Sequence, residues 1–112
     1  MANSYGTPTG VLLTTAGVVV FESPAVTDTM LLVTFNNVDT ATRKLNAYIH
    51  TGALPAVGPA RDALSAVPKD FSLAKETGLS TGPWYLPAGY KMTAFSDVDN
   101  KINALPSTIK TV

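Results

Sequence analysis

Glycine and proline are spread along the chain, eight of each in 112 residues, and this limits the possible folds more than any other feature. Glycine breaks helices through backbone entropy, proline through its missing N–H and its clash with the preceding turn. No helical pattern survives for long between them. The intervening runs are rich in Thr and Val, whose β-branched side chains suit a pleated surface better than a helix. The chain therefore reads as all-β. Its length suits one domain with one core, burying about two-thirds of the unfolded surface.

After an uncharged arm over 1–10, Val11–Thr14 and Val18–Phe21 read as short strands about Ala16-Gly17, and Pro24 ends the second. Thr29 to Asn36 is apolar on both faces, which predicts a central strand. Asn36 to Thr40 supplies a turn of side chains that bond their own backbone. Arg43 to Thr51 then alternates, with Leu45, Ala47 and Ile49 on one face and Lys44, Asn46, Tyr48 and His50 on a wet face. The two runs are expected to form a hairpin. The Pro/Ala-rich stretch 52–68 reads as a long connection with one helical turn from Pro59 to Leu64, proline being tolerated at a helix start. Further strands are expected at 69–75, 84–86, 90–96, 100–105 and 107–112, with 78–83 and Pro87-Ala88-Gly89 as turns. Seven or eight short strands predict a single-domain antiparallel β-sandwich over 11–112, jelly-roll or immunoglobulin-like, of which the jelly-roll-like form is taken, with 1–10 as a flexible N-terminal arm. The long connection suits a Greek key, in which one link crosses between sheets.

Charge narrows the function classes. Eight basic and eight acidic side chains cancel, so no field draws the chain to nucleic acid. Without cysteine there are no disulfides, thiolate nucleophiles or Cys-based metal sites. Val11 to Phe21, the longest apolar run, is too short to span a bilayer, and MANSYGTPTG carries no basic n-region. No membrane partner is expected, and the chain is expected to be made and used, or assembled, in the cytoplasm. Charged residues are only 14% against about 25% in ordinary soluble domains. Interface cores are depleted in charge, so this points to a protein that packs against partners.

Few residues suggest chemistry. His50 is the single histidine, and a zinc site would need carboxylates for every other ligand. It reads as a surface or interface histidine. A Ser-His-Asp triad is possible by count, but no serine is read as standing in a nucleophile-elbow pattern, and no enzyme activity is expected. Asp97-Val98-Asp99-Asn100 opens like a calcium loop, but Lys101, Ile102 and Thr108 stand where that pattern needs a ligand, a glycine and a glutamate. An Asx-rich hairpin turn is the better reading. Glu22 and Glu76 are strand-end charges. Trp84, Tyr85, Tyr90 and Phe95 flank the Pro87–Gly89 turn, as packing groups or as a stacking platform for a sugar or base.

Several segments carry a resemblance. A hydrophobic strand ends in Asn36-Asn37, and after a short Asp/Thr-rich turn another ends Asn46-Ala47-Tyr48-Ile49-His50-Thr51-Gly52. Leu86-Pro87-Ala88-Gly89-Tyr90-Lys91-Met92 leads into Thr93-Ala94-Phe95-Ser96, and Lys101-Ile102-Asn103-Ala104-Leu105 precedes a short last strand. Together, over residues 29–51 and 84–112, they resemble small β-sandwich virion proteins of tailed bacteriophages. The chain departs from that pattern at Tyr90, where an acid often follows the turn glycine, and at Lys110 and Val112, where the final strand commonly ends in an acid. The resemblance implies a virion structural protein without cofactor, metal or catalytic residues. Its leading form is a capsid decoration (cement) protein, a homotrimer on the major capsid protein or other virion proteins. Alternatives are a neck, tail or baseplate component, or a carbohydrate-binding sandwich stacking sugars on Trp84, Tyr85 and Tyr90. Candidate partner contacts are Tyr5 in the arm, Pro55, Pro59 and Arg61 in the connection, and Trp84, Tyr85 and Tyr90.

Overall fold

The computed structural model describes residues 3–5 and 10–111, with side chains described from 10 to 108. Nine strands and one helical turn follow in order: β1 Asn3–Tyr5, β2 Val11–Leu12, β3 Val18–Glu22, β4 Thr29–Asn37, β5 Arg43–His50, α1 Pro59–Asp62, β6 Phe71–Leu73, β7 Gly78–Leu86, β8 Lys91–Ser96 and β9 Ile102–Thr111. Every pairing is antiparallel. β2 pairs with β9, β3 with β8, β4 with β7 and β5 with β6, so the pairs nest inside one another like a single long hairpin. Two further ladders, β4 with β9 and β5 with β8, roll that hairpin into two sheets. One sheet runs β2-β9-β4-β7, with β1 beside the far end of β9; the other runs β3-β8-β5-β6. This order, alternating between a five-stranded and a four-stranded sheet, is a jelly-roll sandwich.

Alternation along each strand builds the core. In β4, Thr29, Leu31, Val33, Phe35 and Asn37 are buried while the residues between them are not. Facing them from the other sheet are Leu45, Ala47, Met92 and Ala94, and the cluster closes with Leu13, Leu86, Ile102 and Ala104. Asn37 is the polar clip between the sheets. Its amide donates to the carbonyls of Ala41 (2.9 Å), Leu73 (2.9 Å) and Ala74 (3.1 Å), and its side-chain oxygen accepts the Asp39 N–H. The Pro87–Gly89 turn forms as expected. Tyr90 N–H returns to the Pro87 carbonyl, and Gly89 takes φ 83°, the left-handed region that glycine enters without steric cost.

Several expectations are corrected. β4 and β5 are not a hairpin: the Asn-rich turn carries the chain from one sheet to the other. The long connection does the opposite of crossing. It joins β5 to β6 inside one sheet, at the tip of the rolled hairpin, while the short links change sheets. β4 is central, but its second apolar row is exposed, not buried, with Met30 and Leu32 at the surface. Residues 78–83 are strand, not turn. β7 lies at a sheet edge, where Gly82-Pro83 is accommodated by a register shift. The two strands expected at 100–105 and 107–112 are one strand, β9, running from Ile102 to Thr111 through Pro106, with Val112 outside the described residues. Among the described residues, β2 and β1 pair with its outer side only before and after that proline.

Of the arm, Asn3–Tyr5 pairs with β9, while 1–2 and 6–9 lie outside the described residues. The candidate side chain of Tyr5 also lies outside them.

Candidate functional site

Two outward surfaces remain once the core is formed. The first is the outer face of the β2-β9-β4-β7 sheet. Met30, Leu32, Thr34 and Asn36 of β4 point to it. In register with them lie Tyr85 and Ser80 of β7 and Ser107, Leu105 and Asn103 of β9. Leu12, 48% exposed, extends the apolar row into β2. No Asp, Glu, Lys or Arg occupies these described positions. At one margin the Tyr85 hydroxyl donates to Asp28 at 2.6 Å, and the Ala88 N–H donates to the same carboxylate at 3.0 Å. These bonds hold the Asp28 carboxyl below its ordinary range and raise the Tyr85 phenol.

The second surface is the outside of the β3-β8-β5-β6 sheet. Alternation leaves Tyr48 and His50 facing out of β5, but neither is wet. The long connection folds back along β5, with Ile49 N–H on the Leu64 carbonyl and Ala66 N–H on that of Ala47. Tyr48 and His50 are thereby buried, a correction to the exposed face expected for both. His50 Nδ1 lies 3.1 Å from the Gly52 carbonyl and so carries the ring proton. Nε2, 2.8 Å from Thr93 Oγ1, then accepts that hydroxyl. Burial, with smaller help from Lys91 and Arg61, lowers the His50 pKa against the opposing pull of the Gly52 carbonyl.

Arg61 is fixed from two sides. Its Nε donates to the Pro55 carbonyl at 2.7 Å, and its guanidinium lies over the rings of Tyr48 (5.8 Å) and Phe95 (5.5 Å). Those rings meet edge to face at 5.8 Å. Gly17 is pressed against Phe95: a Cβ built there would stand 2.5 Å from the ring. Beside Arg61 opens a hollow of about 400 Å³.

The structure sorts the candidate residues unevenly. Pro55 and Arg61 are brought into contact, with Pro59 exposed at the first position of α1. Trp84, Tyr85 and Tyr90 do not form a platform: Trp84 and Tyr90 pack on the core while Tyr85 points outward. Trp84 Nε1 is buried without an acceptor among the described residues. Tyr48, Lys44, Asp70 and Asp97 around the hollow were not singled out as candidates, because strand, turn and connection bring them together over long sequence distances.

Other motifs resolve into scaffolding. Asp97 accepts the Lys44 N–H and Asp99 the Thr15 N–H, so both tie the 97–100 turn to distant segments, and that turn is not the hairpin expected, because it carries the chain from β8 to β9 in the other sheet. Asp39 is paired with Arg43 at 2.7 Å, which lowers its pKa. Contrary to the expectation that no serine stands in such a pattern, Gly78-Leu79-Ser80-Thr81-Gly82 has the G-x-S-x-G spacing of a nucleophile elbow. It lies in a strand instead of a strand-to-helix turn. Ser80 Oγ shares a 3.0 Å hydrogen bond with Thr34 Oγ1, on the opposite side of the sandwich from His50. Among the described residues no three His, Cys, Asp or Glu side chains gather as a metal site would require. Comparison of the chain with protein-family models, with curated proteins and with solved structures finds no match in any of the three.

Proposed function

We propose that this chain is a structural protein of a tailed-bacteriophage virion, a homotrimeric decoration protein that docks on the assembled capsid and stabilises it. The observation that carries this reading is the outer face of the β2-β9-β4-β7 sheet, uncharged at the described positions and bearing Met30, Leu32 and Leu12. A protein–protein interface core is depleted in charge in just this way, and Tyr85 on the same face is of a type enriched at binding hot spots. The resemblance of residues 29–51 and 84–112 to phage virion proteins supplies the partner. The jelly roll adds support by analogy, since it recurs among capsid domains, although one fold serves many functions.

Mechanically, each copy would bridge neighbouring capsid subunits through one modest interface. Linking copies in a trimer raises the effective concentration of the second and third contacts, so weak sites hold together. The test is co-sedimentation of the purified protein with capsids stripped of decoration. Leu32→Asp should leave the fold intact and weaken binding about 30-fold, the loss expected for a hot-spot residue. Loss of binding on Val57→Asp, with none on Leu32→Asp, would move the contact to the long connection.

A further inference from the structure

The hollow beside Arg61 has a composition that selects a class of ligand. Its rim carries three cations, Lys44, Arg61 and Lys69, and three carboxylates, Asp62, Asp70 and Asp97. The signs of these six balance, so the rim has no excess of either charge to select an anion or a cation, and Asp97 also lies 3.8 Å from the Arg43 guanidinium. A ligand that both donates and accepts hydrogen bonds gains from every one of these groups, and a hydroxyl does both. Much of that capacity is uncommitted. Arg61 uses one of its five N–H donors on Pro55. Lys69 reaches Asp62 at only 3.4 Å, and the Asp70 carboxylate takes a single side-chain donor, Asn46 Nδ2.

The positions are also held in advance. Arg61 is clamped between the Pro55 carbonyl and two aromatic rings. Asn46 and Asp70 grip one another reciprocally, the Asp70 N–H donating to Asn46 Oδ1 at 2.9 Å. Asp97 is tied by the Lys44 N–H. Polar groups fixed before binding lose little entropy on meeting a ligand. An apolar side completes the lining: Phe95 is half-buried in it, and Val57, 80% exposed, stands at its lip. At about 400 Å³ the hollow falls at the small end of ligand pockets, which run from about 300 to 1,000 Å³.

We infer that the hollow on the outside of the β3-β8-β5-β6 sheet is a saccharide-binding site. It takes a neutral mono- or disaccharide whose hydroxyls bridge Arg61 and Lys44 on one side to Asp70 and Asp97 on the other. It is a different place from the platform expected of Trp84, Tyr85 and Tyr90, and it stands whatever the opposite sheet docks on.

The experiment is an amide-resolved NMR titration of the labelled full chain with glucose, galactose, mannose and N-acetylglucosamine in turn, and with acetate and lysine as charged probes. At least one sugar should give saturable shifts at 44–46, 61–62, 69–70 and 97, in the millimolar range expected of a shallow polar site. Arg61→Ala and Asp70→Asn should each weaken it tenfold or more, and Tyr85→Ala should leave it unchanged. Should Arg61→Ala perturb the connection, Lys44→Ala removes an exposed side chain and should weaken binding on an unaltered fold. Absence of saturable shifts with all four sugars overturns the assignment. So does saturation by acetate or lysine with none by a sugar, or binding that survives Arg61→Ala and Asp70→Asn together.

Discussion

At His50, burial changes the acid–base behaviour of a side chain. The folded protein holds the ring neutral, with its pKa below the ordinary value near 6.5. The unfolded chain takes up a proton at a pH where the folded chain does not. The stability this provides is present above about pH 6.5 and is lost as pH falls through that value toward the folded pKa. Urea midpoints measured from pH 7.5 to 5.5 should therefore decline, and His50→Gln should flatten the curve over that window. Asp28 and Asp39, whose pKa values are lowered, act only further down, below about pH 4. Asn37 makes a second residue-scale prediction. Its replacement by Ala strands the buried Leu73 carbonyl and should cost about 1–3 kcal/mol in a denaturant melt, the usual price of an unmet buried polar group.

At the scale of elements, β4 places two chemically identical neighbours in opposite surroundings. Leu31 is fully buried and Leu32 is 42% exposed. Leu31→Ala should cost about 2–5 kcal/mol in urea denaturation, whereas Leu32→Ala should stay within about 0.5 kcal/mol. Equal losses at the two sites would contradict the register of the strand. This contrast also shows what is legible in the sequence. β5 announces its inner face because Leu45, Ala47 and Ile49 alternate with polar residues. β4 hides its inner face because the outer row is apolar as well, and that concealment is itself a mark of the candidate docking face. The turn after Asn37 is plain from its Asx and Thr residues, but turn chemistry does not say whether a chain reverses within a sheet or crosses to the other. The deciding bonds run from Asn37 to Leu73 and Ala74, far along the chain. The cover over Tyr48 and His50 was equally invisible, since Arg61 and Ser65 reach β5 only after the long connection closes. Pro55 and Arg61 could be picked out singly from an unusual segment; their contact, and the hollow beside it, belong to tertiary structure.

At the scale of the whole molecule, the nested pairing leaves two unlike outer faces on one small sandwich. One is uncharged at its described positions and partly apolar, with β1 lengthening its sheet; the other is covered in part by the long connection and is rich in fixed charges of both signs. A chain so divided suits an adaptor that rests on a shell with one sheet and turns the other outward. Equilibrium sedimentation of the free protein should return three times the 11.7 kDa chain mass. A monomer at all concentrations would remove the avidity on which the proposed capsid contacts depend. The most direct measurement is the number of copies in purified virions, by quantitative staining against the major capsid protein. Decoration predicts copies comparable in number to the capsid subunits. A handful per particle would place the chain at the neck or tail, and its absence from particles would contradict the virion assignment altogether.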